Sequence, residues 1–174
     1  MDELVPFGGG EYFALLALLV FARGADMLST RVATPNLVLE GNPFAKWLGW
    51  KWGNLINVCL CLGFAVWPLP AIVIGTASVL VAARNFQQAW LMRSMGEEPY
   101  RNWHVARIRE TRISLYLFCL FGQTVLTGSV GAALIYFSPS VSIPMAVGLG
   151  IMAYAGAVGF YTSLSVWRIR RSFA

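Results

Sequence analysis

Five runs of apolar residues, each near the roughly 20 that a helix needs to cross a bilayer, are separated by short polar or proline-bearing stretches. The pattern predicts an all-α bundle with transmembrane helices at about 11–34, 43–67, 70–94, 113–137 and 143–167. Local chemistry sets the breaks. Thr34-Pro35-Asn36 ends the first helix, because the residue before a proline disfavours helical geometry. Asn42-Pro43 opens the second, with Asn as cap and Pro at the first helical position. Trp67-Pro68-Leu69-Pro70 and Ser138-Pro139-Ser140 read as tight turns. The third run is the weakest: its unbroken apolar part, 71–83, is short, and Arg84, Asn85, Gln87 and Gln88 follow at once. Either this helix continues with a polar face turned into the bundle, or Arg84 snorkels to the interface. Gly96 and Pro99 are the first stop signals and favour a helix continuous to about Ser94.

Composition agrees with the pattern. Hydrophobic residues make up 57% of the 174, charged residues only 12%, against roughly 25% charged in a soluble domain. The chain reads as one integral membrane domain, 1–174. Met1 to Gly10 carries Asp2 and Glu3 and no Lys or Arg, the wrong sign for a signal peptide, so the first helix is expected to stay uncleaved. Gly8-Gly9-Gly10 reads as a flexible lead-in. Cys59, Cys61 and Cys119 lie in apolar runs and read as buried apolar residues, without metal or disulfide spacing.

The net charge of +5 gains meaning from its placement. Of the 13 Lys and Arg, all but Arg23 and Arg84 fall in the first loop and its flanks, in the loop after the third helix, or in the tail. The N-terminus and the turns at 68–70 and 138–144 hold none. Because cytoplasmic loops carry the basic excess, the N-terminus is expected outside and the C-terminus in the cytoplasm. Trp47, Trp50, Trp52, Trp90, Trp103 and Trp167 cluster toward the same side, as interfacial anchors do. Contact with anionic lipid accounts for the charge, and a nucleic-acid partner is not called for.

Arg23, Asp26 and Arg84 are the charges left inside spans, where a charge is costly and faces the bundle interior or a water-filled cavity. Arg23 and Asp26 are three apart and share a helix face. Arg23 and Arg84 lie at similar depth, so a triad with Asn85 and Gln88 beside it is expected. It reads either as an ion pair locking two helices or as a site for an anion or a proton. Thr30 lies one turn beyond Asp26. Glu40 and Asn42 open the second helix, where Glu40 serves as a capping group or, if the loop folds back, approaches Asp26. In that case Asp26, Glu40, Thr30 and Asn42 offer oxygen ligands for a cation or a carboxylate pair for acid–base work.

The order Asp26-x-x-x-Thr30, then Glu40-x-Asn42-Pro43, resembles a group of small bacterial inner-membrane proteins that share D-x-x-x-T followed by E-x-N-P. The likeness covers about residues 24–48. It implies a bacterial inner-membrane location and a polar cluster that matters; it implies no activity.

His104 is the single histidine, so a haem or metal pair held by histidines is excluded by count, and no cofactor is expected. Its surroundings, GEEPYRNWHVARIRE, read as an amphipathic interfacial segment or as a phospholipid headgroup contact through Arg101, Arg107 and Arg109. The fourth and fifth spans carry small residues four apart, including Gly131 and Gly159, suited to close packing within the bundle or to a homo-oligomer. Hydrolase, zinc-protease and nucleotide-binding motifs are missing. Three functions remain: a protein that binds or transports a small ligand, ion or proton; a membrane enzyme acting on a lipid or lipid-linked substrate through Asp26 and Glu40; and a structural subunit of a membrane complex.

Overall fold

The computed structural model describes residues 4–138 and 140–171, which form six α-helices and no strand. They are α1 (Gly10–Ala33), α2 (Pro43–Phe64), α3 (Pro68–Met95), α4 (Glu97–Glu110), α5 (Ile113–Tyr136) and α6 (Ile143–Arg171). Four of them, α1, α3, α5 and α6, are long and apolar enough to cross a membrane. The expected span at 43–67 forms as α2 but falls short of that apolarity. Lys46, Lys51, Asn54 and Asn57 dilute it, and at Gly49 the backbone turns to φ 63°, ψ −173°. That region is essentially open only to glycine, and it kinks the helix between its tryptophan-rich start and its apolar remainder.

Caps explain most boundaries. Asn42 Oδ1 accepts from the Phe44 amide at 3.0 Å, and Pro43 starts α2. Pro68, expected in a turn before a helix starting near Pro70, instead starts α3, which runs unbroken to Met95, close to the expected end at Ser94. Gly96, at φ 83° and ψ 154°, ends α3 and opens α4 within one residue. The segment around His104 is therefore a helix in its own right. The lead-in is not loose. The Val5 amide donates to the Val66 carbonyl at 2.9 Å, Gly9 closes a turn onto Pro6, and Tyr12 is buried below them with Leu19, Cys61, Ala65 and Ala71.

The helices form a row. α3 packs on α1 along one side and on α6 along the other; α6 carries α5, and α2 lies mainly on α1. The α3 face toward α1 is a stripe of small residues, Ala71, Gly75, Ser78, Ala82 and Ala89, at helical spacing. A Cβ on Gly75 would meet Leu18 at 3.4 Å and Ala22 at 3.9 Å. Because Leu18 and Ala22 face Gly75 while Thr30 faces Asn85, α1 and α3 run in the same direction. Gly131 and Gly148 bring α5 and α6 together: a Cβ on Gly148 would lie 2.7 Å from the Gly131 carbonyl. Gly150 does the same for α6 against Val73 and Thr76 of α3.

Small residues make up much of the interior, beside larger buried side chains such as Tyr12, Leu19 and Tyr154, and many large apolar side chains point outward. Phe118, Phe121, Leu126, Tyr136 and Phe160 are all exposed. Cys59 and Cys119 join that outer surface, contrary to the expectation that they are buried; only Cys61 is. A water-soluble monomer does not sustain an apolar surface of this extent, and together with four helices apolar enough to span a membrane it suggests a multi-pass membrane protein.

Candidate functional site

The polar cluster forms where α1, α2 and α3 meet, toward the end of the bundle that carries the basic residues. Arg23 sits on the buried side of α1 and reaches all three helices. Its Nη1 donates to Asp26 Oδ2 at 2.8 Å and to Ser78 Oγ of α3 at 3.1 Å; its Nε donates to Asn57 Oδ1 of α2 at 2.6 Å. Asn57 is itself fixed, its amide donating to the Gly53 carbonyl at 2.7 Å. One turn further along, Asn85 of α3 donates to Ser29 Oγ at 3.3 Å and to Thr30 Oγ1 at 3.2 Å, and Ser29 donates to the Asp26 carbonyl at 2.8 Å. The network neutralises the guanidinium and engages its Nε and Nη1 without an outside partner. It does not saturate Asp26: among the described residues Oδ1 has no donor, and the side chain keeps 15% of its surface exposed.

The loop between α1 and α2 folds back over this end. What shapes it is Glu97, the first residue of α4. Its carboxylate accepts from Thr34 Oγ1 (3.1 Å), the Asn36 amide (2.9 Å), Asn36 Nδ2 (3.3 Å) and the Val38 amide (3.2 Å). Leu37, held between the last two, has φ 56°, a left-handed conformation uncommon for a non-glycine residue. Trp50 Nε1 adds a bond to the Pro35 carbonyl at 2.7 Å. The result places Glu40 within electrostatic reach of Asp26. The two carboxylates share no hydrogen bond; Glu40 Oε1 instead accepts from the Asn42 amide at 2.7 Å, and Asn42 caps α2.

Arg84 is not brought to this cluster. Asn85 takes the place at Thr30, and Arg84, one residue earlier and about a quarter turn around α3, faces α5. There it lines a groove of about 490 Å³ with Gln87, Gln88, Trp90, Leu91 and Gln123. The expected triad thus divides into two regions, Arg23 with Asp26 and Asn85 in one, Arg84 with Gln88 in the other.

On α4, Arg101 pairs with Glu98 at 3.6 Å and Arg107 with Glu110 at 3.0 Å, all four side chains being exposed; Arg109 is exposed too. His104 stacks on Tyr100, ring centroids 5.9 Å apart and planes 10° from parallel, and burial pushes its imidazole below the ordinary histidine value. Arg170 of α6 donates to the Ile108 carbonyl at 2.9 Å and to that of Thr111, fastening α4 to the bundle.

Asn57, Ser78, Ser29 and Glu97 were not singled out from the sequence. Asn57 and Ser78 carried a signal, being polar residues inside apolar helices. Glu97 carried none, because its partners lie some 60 residues away. No known protein family, curated protein or solved structure matches the chain.

Proposed function

We propose that this chain is a five-span protein of the bacterial inner membrane, N-terminus outside and C-terminus cytoplasmic, that binds and exchanges a proton at Asp26. Support for the fifth span comes from direction. α1 and α3 run side by side the same way, so the chain between them returns across the same thickness, and α2 is the segment that does so. Support for the orientation comes from the basic residues, which gather where α1, α3 and α6 end. In intact cells, an impermeant maleimide is expected to label Ser140→Cys but not Arg101→Cys; the reverse pattern contradicts the orientation.

The observation that carries the ligand reading is the divided state of Asp26. One oxygen is committed to Arg23; the other has no donor among the described residues, on a side chain that keeps 15% of its surface exposed. A cation such as calcium takes six to eight oxygens, more than one free carboxylate oxygen and its neighbours Thr30 and Glu40 offer. A proton needs only the one oxygen. The arrangement suits a carboxyl that takes up and releases a proton from the cytoplasmic side while Arg23 stays locked.

The test is infrared difference spectroscopy of the purified protein through a pH titration. A protonated-carboxyl band that appears on acidification and is lost in Asp26→Asn, with helicity unchanged, is the expected result. The same band persisting in Asp26→Asn contradicts the reading.

A further inference from the structure

Arg84 presents an unsolved charge problem. It is half-buried in the side of α3 and has no hydrogen bond or ion pair among the described residues. A guanidinium stays ionised at any ordinary pH, and an isolated charge away from water is expensive unless an anion meets it. The described residues do not supply one. Of the six described acidic residues, Asp26 is taken by Arg23, Glu40 by the Asn42 amide, Glu97 by the α1–α2 loop, Glu98 by Arg101 and Glu110 by Arg107. Glu11 stands in the first turn of α1, at the other end of the bundle.

The groove in front of Arg84 is suited to an outside anion. It exists because α5 rests on α6 and makes no extended contact with α3, leaving about 490 Å³ between them, the size of a small-molecule site. No carboxylate lines it. Gln87 and Gln88 from α3 and Gln123 from α5 do, and none of the three has a hydrogen-bond partner among the described residues. Their amides are donors on both walls, with the guanidinium fork on one. Gln123 places the groove along the first half of α5. Trp90, 69% exposed at its rim, has the amphipathic character of an interfacial anchor.

We propose that this groove is a phosphate-binding site, in which Arg84 holds the phosphate of an anionic phospholipid headgroup in its planar fork and Gln87, Gln88 and Gln123 donate to the remaining oxygens. The site is separate from Asp26 and rests on the membrane embedding proposed above, not on proton exchange. In the proposed orientation it opens at the cytoplasmic leaflet. Leu91 supplies an apolar wall on which an acyl chain can continue.

Native mass spectrometry of the full chain in a neutral detergent tests it, titrating phosphatidylglycerol and phosphatidylcholine. Wild type is expected to bind phosphatidylglycerol about tenfold more tightly than Arg84→Gln does, with a smaller loss for phosphatidylcholine, whose phosphate charge is offset by its own choline. Gln123→Leu, on the opposite wall, is expected to lose about threefold and carries the test if Arg84→Gln misfolds. Arg93→Gln, near the end of the same helix but outside the groove, is expected to bind as wild type does. Phosphatidylglycerol that excess inorganic phosphate fails to displace assigns the phosphate to a lipid; displacement keeps the phosphate site and assigns it to a soluble ligand. Equal binding of phosphatidylglycerol by wild type, Arg84→Gln and Gln123→Leu overturns the site, as does an equal loss in Arg93→Gln. The carboxyl band of Asp26 is expected to survive in Arg84→Gln, so failure here is distinguishable from failure of the proton reading.

Discussion

Arg23 and Arg84 lie at similar depth on parallel neighbouring helices, and they meet the cost of an embedded charge in opposite ways. Arg23 faces the α1–α2–α3 junction and finds an aspartate, an asparagine and a serine within 3.1 Å. Arg84 faces a groove and finds glutamines that do not bond to it. The first region is closed on itself and leaves only one carboxylate oxygen to exchange with the surroundings. The second is complete only with something added. The lesson is that depth in a span does not decide whether a charge is structural or functional; the face it occupies does, and whether the chain itself supplies the counter-charge.

The difference can be broken from either side. Removing the guanidinium of the closed region is expected to have the largest effect. Arg23→Gln leaves Asp26 unpaired and cuts the bond from α1 to Asn57 of α2, costing about 2–3 kcal/mol in a denaturing-detergent titration, less than for a fully buried pair because part of both side chains stays exposed. Next comes Gly150→Ala. Its Cβ would lie 2.8 Å from the Val73 carbonyl, so α6 must move off α3, at a cost of about 1–3 kcal/mol. Because α6 carries α5, the change is expected to alter lipid binding in the Arg84 groove while sparing the Asp26 carboxyl band. Glu97→Gln acts on the other region. An amide offers one accepting oxygen where the carboxylate has two, so the α1–α2 loop is expected to lose about 1–2 kcal/mol of local stability, read as faster exchange of the Asn36 and Val38 amides with lipid binding unchanged.

The smallest effect is on pH dependence away from both regions. Burial depresses the His104 pKa below 6.5 in the folded chain. The unfolded chain therefore takes the proton first as pH falls, and stability is full above about pH 6.5 and declines below it until the folded chain is protonated too. His104→Gln is expected to flatten that shallow decline in a thermal-melt series.

The sequence made helix edges legible where the signal was local: Asn42-Pro43 and Gly96 act within a residue or two of the boundary they set, while Pro68, expected in a turn, is the first residue of α3. Hydropathy alone did not show that 97–110 is a separate helix, since α4 is polar and held by Arg170 from the far end of the chain. Gly49 gave no warning of its kink, because glycines elsewhere in the same spans sit in ordinary helical geometry. For the site, the depth of Arg23, Asp26 and Arg84 was readable and their grouping was not. Arg84 and Asn85 are adjacent in sequence, and which one turns toward α1 depends on how α3 packs between α1 and α6. Whether Glu40 caps α2 or turns to Asp26 was open in the sequence; its carboxylate accepts from the Asn42 amide, and the loop that carries it is shaped by Glu97, a contact too distant along the chain for any spacing rule to register.

The central claim is that one arginine is neutralised from within and the other from without. Thermal stability of wild type, Arg23→Gln and Arg84→Gln, each measured with and without phosphatidylglycerol, tests it most directly. The account predicts that Arg23→Gln lowers Tm in both conditions, and that Arg84→Gln equals or exceeds wild type without the lipid but lacks the rise that the lipid gives wild type. A Tm for Arg84→Gln that falls as far as that of Arg23→Gln in the absence of anionic lipid would contradict it.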